Sequence, residues 1–166
     1  MCEKLTNVTF PTTLKEIPAY AFDTCWRIKE VIIPEGVEVI GEGAFYECEG
    51  IKKVTLSSTV NKICYKAFGA CVGAEEFIIP EGVEEIEPLA FMSCVGLKTI
   101  SLPASLSKLG DKYPGEAFEW GANVLGCNAL QDIVVADGNE TYSSNDGLLY
   151  NADGTKVLFC PRGRKK

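Results

Sequence analysis

The chain has 166 residues, 46% of them hydrophobic and 23% charged, with a formal net charge of −7 and no histidine. This composition suits a soluble globular domain with a real core, while the acidic balance opposes nucleic acid, whose phosphates need clustered Lys and Arg. The missing imidazole removes the commonest general base and zinc ligand, and no apolar run approaches the ~20 residues of a membrane span, so direct membrane insertion is not expected.

From the N-terminus onward one pattern recurs. Ala-Phe stands at 21–22, 44–45, 67–68 and 90–91 and Cys at 2, 25, 48, 71 and 94, each series advancing by 23 residues. Three apolar columns keep the same phase: Val8, Val31, Val54, Phe77 and Ile100; Phe10, Ile33, Leu56, Ile79 and Leu102; Ile17, Ile40, Ile63, Ile86 and Leu109. A fixed period of this length marks a stacked-repeat architecture, in which each unit is too small to bury its apolar side alone.

Within the unit at 28–48, alternation around Val31 and Ile33 predicts a short strand, and "PEG" the turn that ends it. A second extended stretch is expected at Val37 and Ile40. The spacing of three to four around Ala44, Phe45 and Cys48 predicts a helical or 3₁₀ turn.

The sixth unit is displaced. Cys127, Leu130, Ile133 and Val135 repeat the spacing of Cys94, Leu97, Ile100 and Leu102 after 33 residues, so ten extra residues near 113–122 interrupt the pattern. Either Asn123-Val124, by distance to the cysteine, or Ala117-Phe118, by letter, takes the Ala-Phe place. Beyond it, "NADGT" between "GLLY" and "KVLFCP" is a hairpin signal. The expected organisation is a solenoid over 1–136, followed by an extended segment and a C-terminal β-hairpin cap over 137–166. The terminal "RGRKK" reads as a solvated tail.

The stretch "VIIPEGVEVIGEGAFYECEGI" at 31–51 resembles, almost letter by letter, the unit of the BspA-type leucine-rich repeat, found in surface and secreted proteins of host-associated bacteria and some protists. Gly41 becomes Cys64 and Glu87 in later units, and Ser57 replaces a Pro; both departures fall in turns. With the spacing above, the resemblance implies an α/β solenoid of 23-residue coils with a parallel sheet along one face. It also implies a cell-surface or secreted setting, with host matrix proteins, host cells or other microbes as partners. Because Cys2 and Leu5 enter the pattern midway through a coil, the chain is expected to be part of a longer protein whose secretion signal lies elsewhere.

Six cysteines form one column and are expected to be small buried residues, with S–H groups facing backbone carbonyls. Parallel side chains at a coil rise of ~4.8 Å cannot bring sulfurs to the ~2.05 Å of a disulfide. No C-x-x-C pair or His supports zinc, Cys64 and Cys160 stand outside the column, and no cofactor is implied. No phosphate loop, nucleophile elbow or isolated carboxylate pair occurs, so no catalytic residue is assigned and an enzyme is not expected.

If Val31 and Ile33 point inward, Glu30 and Ile32 point outward. The matching outward pairs are Asn7 and Thr9, Lys53 and Thr55, Glu76 and Ile78, Thr99 and Ser101, Asp132 and Val134. These columns vary while the inward ones stay apolar, as suits a face that binds a protein or glycan; drift at solvent-facing positions explains the variation equally well. Tyr113, Phe118 and Trp120 in the insertion form a second candidate, for binding or for covering the solenoid edge. The leading reading is a non-enzymatic adhesion module, and the alternative is a structural spacer within a larger surface protein.

Overall fold

The computed structural model describes residues 4–110 and 126–164. The first three residues, the insertion and its two alternative Ala-Phe places, and the last two residues lie outside that set, and with them Cys2, Tyr113, Phe118 and Trp120.

The described chain is a β-solenoid. Strands β1 (Glu16–Ile17), β3 (Val39–Ile40), β5 (Lys62–Ile63), β7 (Glu85–Ile86) and β9 (Lys108–Leu109) form a five-stranded parallel sheet, so about four turns separate its first strand from its last. Each partner stands one 23-residue step away, as in Glu16 opposite Val39 and Ile17 opposite Ile40. A second parallel row contains β2 (Glu30–Ile32), β4 (Lys53–Thr55), β6 (Glu76–Ile78), β8 (Thr99–Leu102) and β10 (Asp132–Val135). In that row β2 pairs with β4, and β6 with β8 and β10, while no register joins β4 to β6. The seam coincides with Phe77, which takes the place of a Val or Ile; its ring packs 5.3 Å from the Phe68 ring and 4.7 Å from that of Phe91.

Of the expected helical or 3₁₀ turn only isolated turns that reach back three residues are present; among the described residues no helix occurs, so they form a β-solenoid and do not bear out the α/β class. The Ala-Phe segment uses its hydrogen bonds differently. The N–H groups of Tyr20, Phe22 and Thr24 donate to the carbonyls of Glu42, Ala44 and Tyr46 in the next coil at 2.8 Å, while those of Ala21, Asp23 and Cys25 reach back three residues at 3.2 Å. Alternating a local turn with an inter-coil bond requires left-handed backbone at two places per coil. Tyr20 and Thr24, Gly43 and Glu47, Lys66 and Ala70, and Leu89 and Ser93 all have φ between 54° and 61°. A helix would send every N–H to a neighbour within its own segment; this segment is a third inter-coil ladder.

Between the ladders lies one apolar core. Phe22, Phe45, Phe68 and Phe91 stack with centroids 5.2, 5.4 and 5.9 Å apart and rings within 7° of parallel, and Phe45, Phe68 and Phe91 are fully buried. The inward Val31, Ile33, Ile40, Ile63 and Ile86 are buried beside them.

Strands β11 (Tyr142–Asn145), β12 (Leu148–Asn151) and β13 (Val157–Phe159) form an antiparallel sheet after the last coil. Asn139 ties it to the solenoid. Its Nδ2 donates to the carbonyls of Pro103 and Leu106 at 2.8 and 3.0 Å, and its Oδ1 accepts from the backbone of Thr141 and Tyr142. The Tyr142 hydroxyl donates to the Ser107 carbonyl at 3.1 Å, and Gly163 N–H to that of Leu130 at 2.7 Å.

Truncating Phe68 to Ala should cost about 3–5 kcal/mol in chemical denaturation, whereas Glu76→Ala should stay within about 0.5 kcal/mol; equal losses would refute the phase of the coils. Ala70 has a left-handed φ of 56°, so Ala70→Gly should raise stability by about 0.5–1 kcal/mol by relieving the strain. Gly43→Ala should lower it by about 1–2 kcal/mol, because its φ is 55° and a Cβ there runs into the Tyr20 ring.

Candidate functional site

The parallel row from β2 to β10 presents the outward pairs on one surface. Val31, Phe77, Ile100 and Ile133 are buried, which leaves the residues on either side of each facing out. Glu30, Ile32, Lys53, Thr55, Glu76, Ile78 and Asp132 are exposed, as are Asn7, Thr9 and Val134, and Thr99 and Ser101 are half-buried. Parallel register stacks them: Glu30 opposite Lys53 and Ile32 opposite Thr55, then Glu76, Thr99 and Asp132, and Ile78, Ser101 and Val134. The β4–β6 seam divides the row, and Val54 beside it is only half-buried.

Three aliphatic side chains stand out. Ile32 is 57% exposed, Ile78 60% and Val134 48%, well beyond what a core-facing aliphatic shows. Charge surrounds them. Lys53 lies 3.2 Å from Glu30 and Lys98 2.8 Å from Glu75, both at exposed sites where a pair contributes at most about 1 kcal/mol and exchanges readily with a ligand's charge.

The sequence reading missed two features. On the five-stranded sheet, Lys62 Nζ lies 2.6 Å from Glu87 and 3.4 Å from Glu85, and the Glu87 carboxylate also accepts from the Tyr65 backbone at 2.8 Å; the bond to Glu87 raises the Lys62 pKa. Glu87 in the column of Gly41 was the available signal, because a glycine place taken by an acid implies a partner. On the turn side Trp26 is exposed, with the Arg27 guanidinium 4.8 Å over its ring, and Tyr20 is exposed with its hydroxyl on Glu42. No periodicity marks either aromatic, since neither residue type recurs in its column.

The thiols are structural. Cys48, Cys71, Cys94 and Cys127 are buried, and their Sγ–H groups donate to the carbonyls of Phe22, Phe45, Phe68 and Phe91 of the preceding coil at 3.0, 3.3, 3.1 and 3.1 Å. Each of those carbonyls also accepts the N–H of the cysteine in its own coil. Cysteine thus offers the volume of a small apolar residue and one donor for a second lone pair. Burial pushes the Cys48 thiol up to about 12 and that of Cys71 well above its ordinary value, the reverse of what a nucleophile or metal ligand needs, whereas the hydrogen bond with Cys94 lowers Cys127 at the end of the column. No disulfide joins the described cysteines, and among the described residues no cluster of three His, Cys, Asp or Glu could hold a metal ion.

A thiol that ionises near 9 when unfolded and whose pKa burial raises in the folded state, to about 12 for Cys48 and well above the ordinary value for Cys71, leaves the folded state holding more protons at alkaline pH, so stability is complete below about 9 and falls above it. Raising the pH from 8 to 10 should therefore lower stability, by about 1 kcal/mol through Cys48 and further through Cys64, Cys71 and Cys94, which are raised as well. Cys71→Ala, less stable at pH 8 by about 2 kcal/mol, should lose less than the parent over the same interval, by the share of that one thiol. Parallel pH profiles by urea denaturation for the two proteins would overturn this account of the thiols.

Among curated proteins none matches the chain. Solved structures do. A leucine-rich cell surface protein of Faecalibacterium prausnitzii superimposes with a TM-score of 0.68 at 28% identity, over 76% of this chain and 31% of that one. The leucine-rich repeat protein of T. pallidum gives 0.63 at 25%, over 71% and 50%. The pneumococcal vaccine antigen PcpA gives 0.57 at 25%, over 92% and 30%. This chain therefore spans from about a third to half the length of the proteins it resembles. The family model described as BspA type leucine rich repeat region matches residues 1–124 in six copies. That match covers well over half the sequence and follows the coils seen in the fold: this chain belongs to the BspA-type leucine-rich repeat family.

Proposed function

We propose that this chain is a non-enzymatic protein-binding module of a cell-surface or secreted protein, and that it adheres to host matrix, host cells or other microbes through the face of the β2–β10 row. The observation that carries the reading is the exposure of Ile32, Ile78 and Val134 beside fixed charges on one strand row. Apolar side chains held out on a rigid sheet cost solubility and gain nothing from the core, whereas they gain contact area when a partner covers them. Two of the similar proteins, a cell surface protein and a vaccine antigen, agree with a surface setting. Repeats of this family are generally non-enzymatic, and the raised Cys48 and Cys71 thiols leave little chemistry to set against that.

In this reading the site comprises Glu30, Ile32, Lys53, Thr55, Glu76, Ile78, Thr99, Ser101 and Asp132. Residues 1–136 are the binding solenoid. Residues 137–166 close its C-terminal end, a role supported by the Asn139 and Tyr142 bonds to Pro103, Leu106 and Ser107.

The test is solution binding of the chain to a panel of extracellular-matrix proteins and glycans, beside a variant carrying Glu30→Lys, Ile32→Asp and Glu76→Lys. Saturable binding by the parent, weakened at least about tenfold in a variant that melts within a few degrees of it, is the expected result. A ligand that binds both proteins equally would place adhesion elsewhere, and no binding by either would favour a spacer.

A further inference from the structure

The outward columns have a longer period than the coil. Residues 32–38 and 78–84 are the same seven letters, IIPEGVE, two coils apart. In the coils that follow, Thr59 and Ser105 stand one step on from Gly36 and Gly82. The glycine N–H groups donate to their hydroxyls at 2.9 and 3.0 Å, and those hydroxyls donate to the carbonyls of Val37 and Val83 at 2.9 Å. A glycine coil is thus completed by a hydroxyl coil. The same alternation reaches the sheet face, where turn bonding does not require it. Glu30 with Ile32, Glu76 with Ile78 and Asp132 with Val134 pair a carboxylate with an exposed aliphatic on every second coil, and hydroxyl residues such as Thr55 and Ser101 fill the coils between.

The spacing of these three stations selects a ligand. Parallel strands lie ~4.8 Å apart, so Ile78 and Val134, on strands paired through β8, stand ~9.6 Å apart, and Ile32 and Ile78, across the unpaired β4–β6 seam, take the same two-coil rise from the paired β3, β5 and β7. An extended strand returns a side chain to one side every ~6.7 Å, out of step with that repeat. A helix returns every ~10.5 Å per two turns and drifts by about 2 Å between the first station and the third. A polyproline-II segment, at 3 residues per turn and ~3.1 Å per residue, repeats every ~9.3 Å and drifts by less than ~1 Å over the same span. Charge narrows the choice further. Glu76 and Asp132 have no ion pair among the described residues, and Glu30 has only the exposed contact with Lys53. Of the cations on this face, Lys53 stands in the outward column itself, between Glu30 and Glu76, and Arg164, paired with Asp146, acts on Asp132; Lys29, Lys52 and Lys98 precede the strands, and Glu75 holds Lys98.

We propose that this face takes a polyproline-II segment laid along the solenoid axis. An apolar residue of the ligand, proline above all, rests on each of Ile32, Ile78 and Val134, and an arginine or lysine once per turn faces Glu30, Glu76 and Asp132. The proposal rests on the reading that the sheet face binds protein, and it names the partner's backbone and its period. Such a segment is ordered before it binds, so shallow contacts suffice to hold it.

The probe is a twelve-residue peptide of four Pro-Pro-Arg triplets, titrated against the chain by fluorescence anisotropy at low salt. The deciding variant is the exchange Thr55→Ile with Ile78→Thr, which keeps composition and charge and moves the aliphatic stations from even two-coil spacing to one and three coils. Both positions are exposed, so the melting temperature should hold. Expected are saturable binding by the parent, binding about tenfold weaker or more in the exchange variant, and weaker binding of a peptide of the same composition with its arginines adjacent. Absence of peptide binding, equal binding by the exchange variant, or equal binding of the clustered-arginine peptide would each overturn the proposal, as would a linear glycan that binds in the peptide's place with the same dependence on spacing. If a matrix protein binds the parent, loses binding in Ile32→Asp with Ile78→Asp and ignores the exchange, the period is wrong and the binding face stands. If nothing binds that face, both fall.

Discussion

Each described coil leaves backbone hydrogen bonds to be completed by the next coil, and the rest of the structure depends on that debt falling at one fixed interval. Three ladders carry it: the five-stranded sheet, the β2–β10 row and the alternating bonds of the Ala-Phe segment. A buried N–H or C=O left without a partner costs about as much as several apolar contacts provide. An insertion inside a coil must therefore restore the register before the next ladder residue. Cys127 does so after the displaced sixth coil: its thiol reaches the Phe91 carbonyl at 3.1 Å, a bond matching those one coil apart elsewhere. The columns of Phe and Cys follow from the same rule. A side chain that fits against its copy one rise away can be repeated indefinitely, and a planar ring stacked within 7° of its neighbour is such a side chain.

Periodicity made most of this legible in the sequence. Among the described residues the inward columns, the outward pairs, the column thiols from Cys25 to Cys127 and the hairpin after "GLLY" appear where the spacing places them, with Val8, Phe10 and Val54 only half-buried on the inside and Thr99 and Ser101 half-buried on the outside. The Ala-Phe segment did not. Apolar residues three and four apart at Ala44, Phe45 and Cys48 satisfy a helix and a ladder of single turns equally, and what separates them is left-handed backbone at Lys66, Ala70 or Leu89, residue types that carry no sign of it. The second extended stretch is shorter than Val37 to Ile40, because Val37 N–H closes the turn on the Pro34 carbonyl and the strand begins at Val39. The seam at β4 and β6 was visible only as one large residue in a column of small ones, since the consequence of Phe77 depends on the room between coils.

The candidate site divides along the same line. Strand alternation identified which residues face out, because that is a property of backbone geometry; it carried no information on what they meet there, because solvent-facing positions are free of the register constraint. Glu87 shows the limit from the other side. It stands in a glycine column, yet its carboxylate accepts from the Tyr65 backbone and pairs with Lys62, so an apparent departure from the repeat is a local bond made by a side chain.

That freedom is what gives the two-coil alternation its weight. Inward positions repeat every coil because packing and hydrogen bonding demand it, and the hydroxyls of Thr59 and Ser105 repeat every second coil because each serves a glycine turn. Ile32 and Ile78 serve neither: both are more than half exposed, and the threonine or serine one coil away from each fits the strand equally well. A constraint that acts on the scaffold leaves such positions unspecified. In the proposed reading their regularity, carried on to Val134 beyond the insertion, answers to a ligand with a period close to two strand spacings.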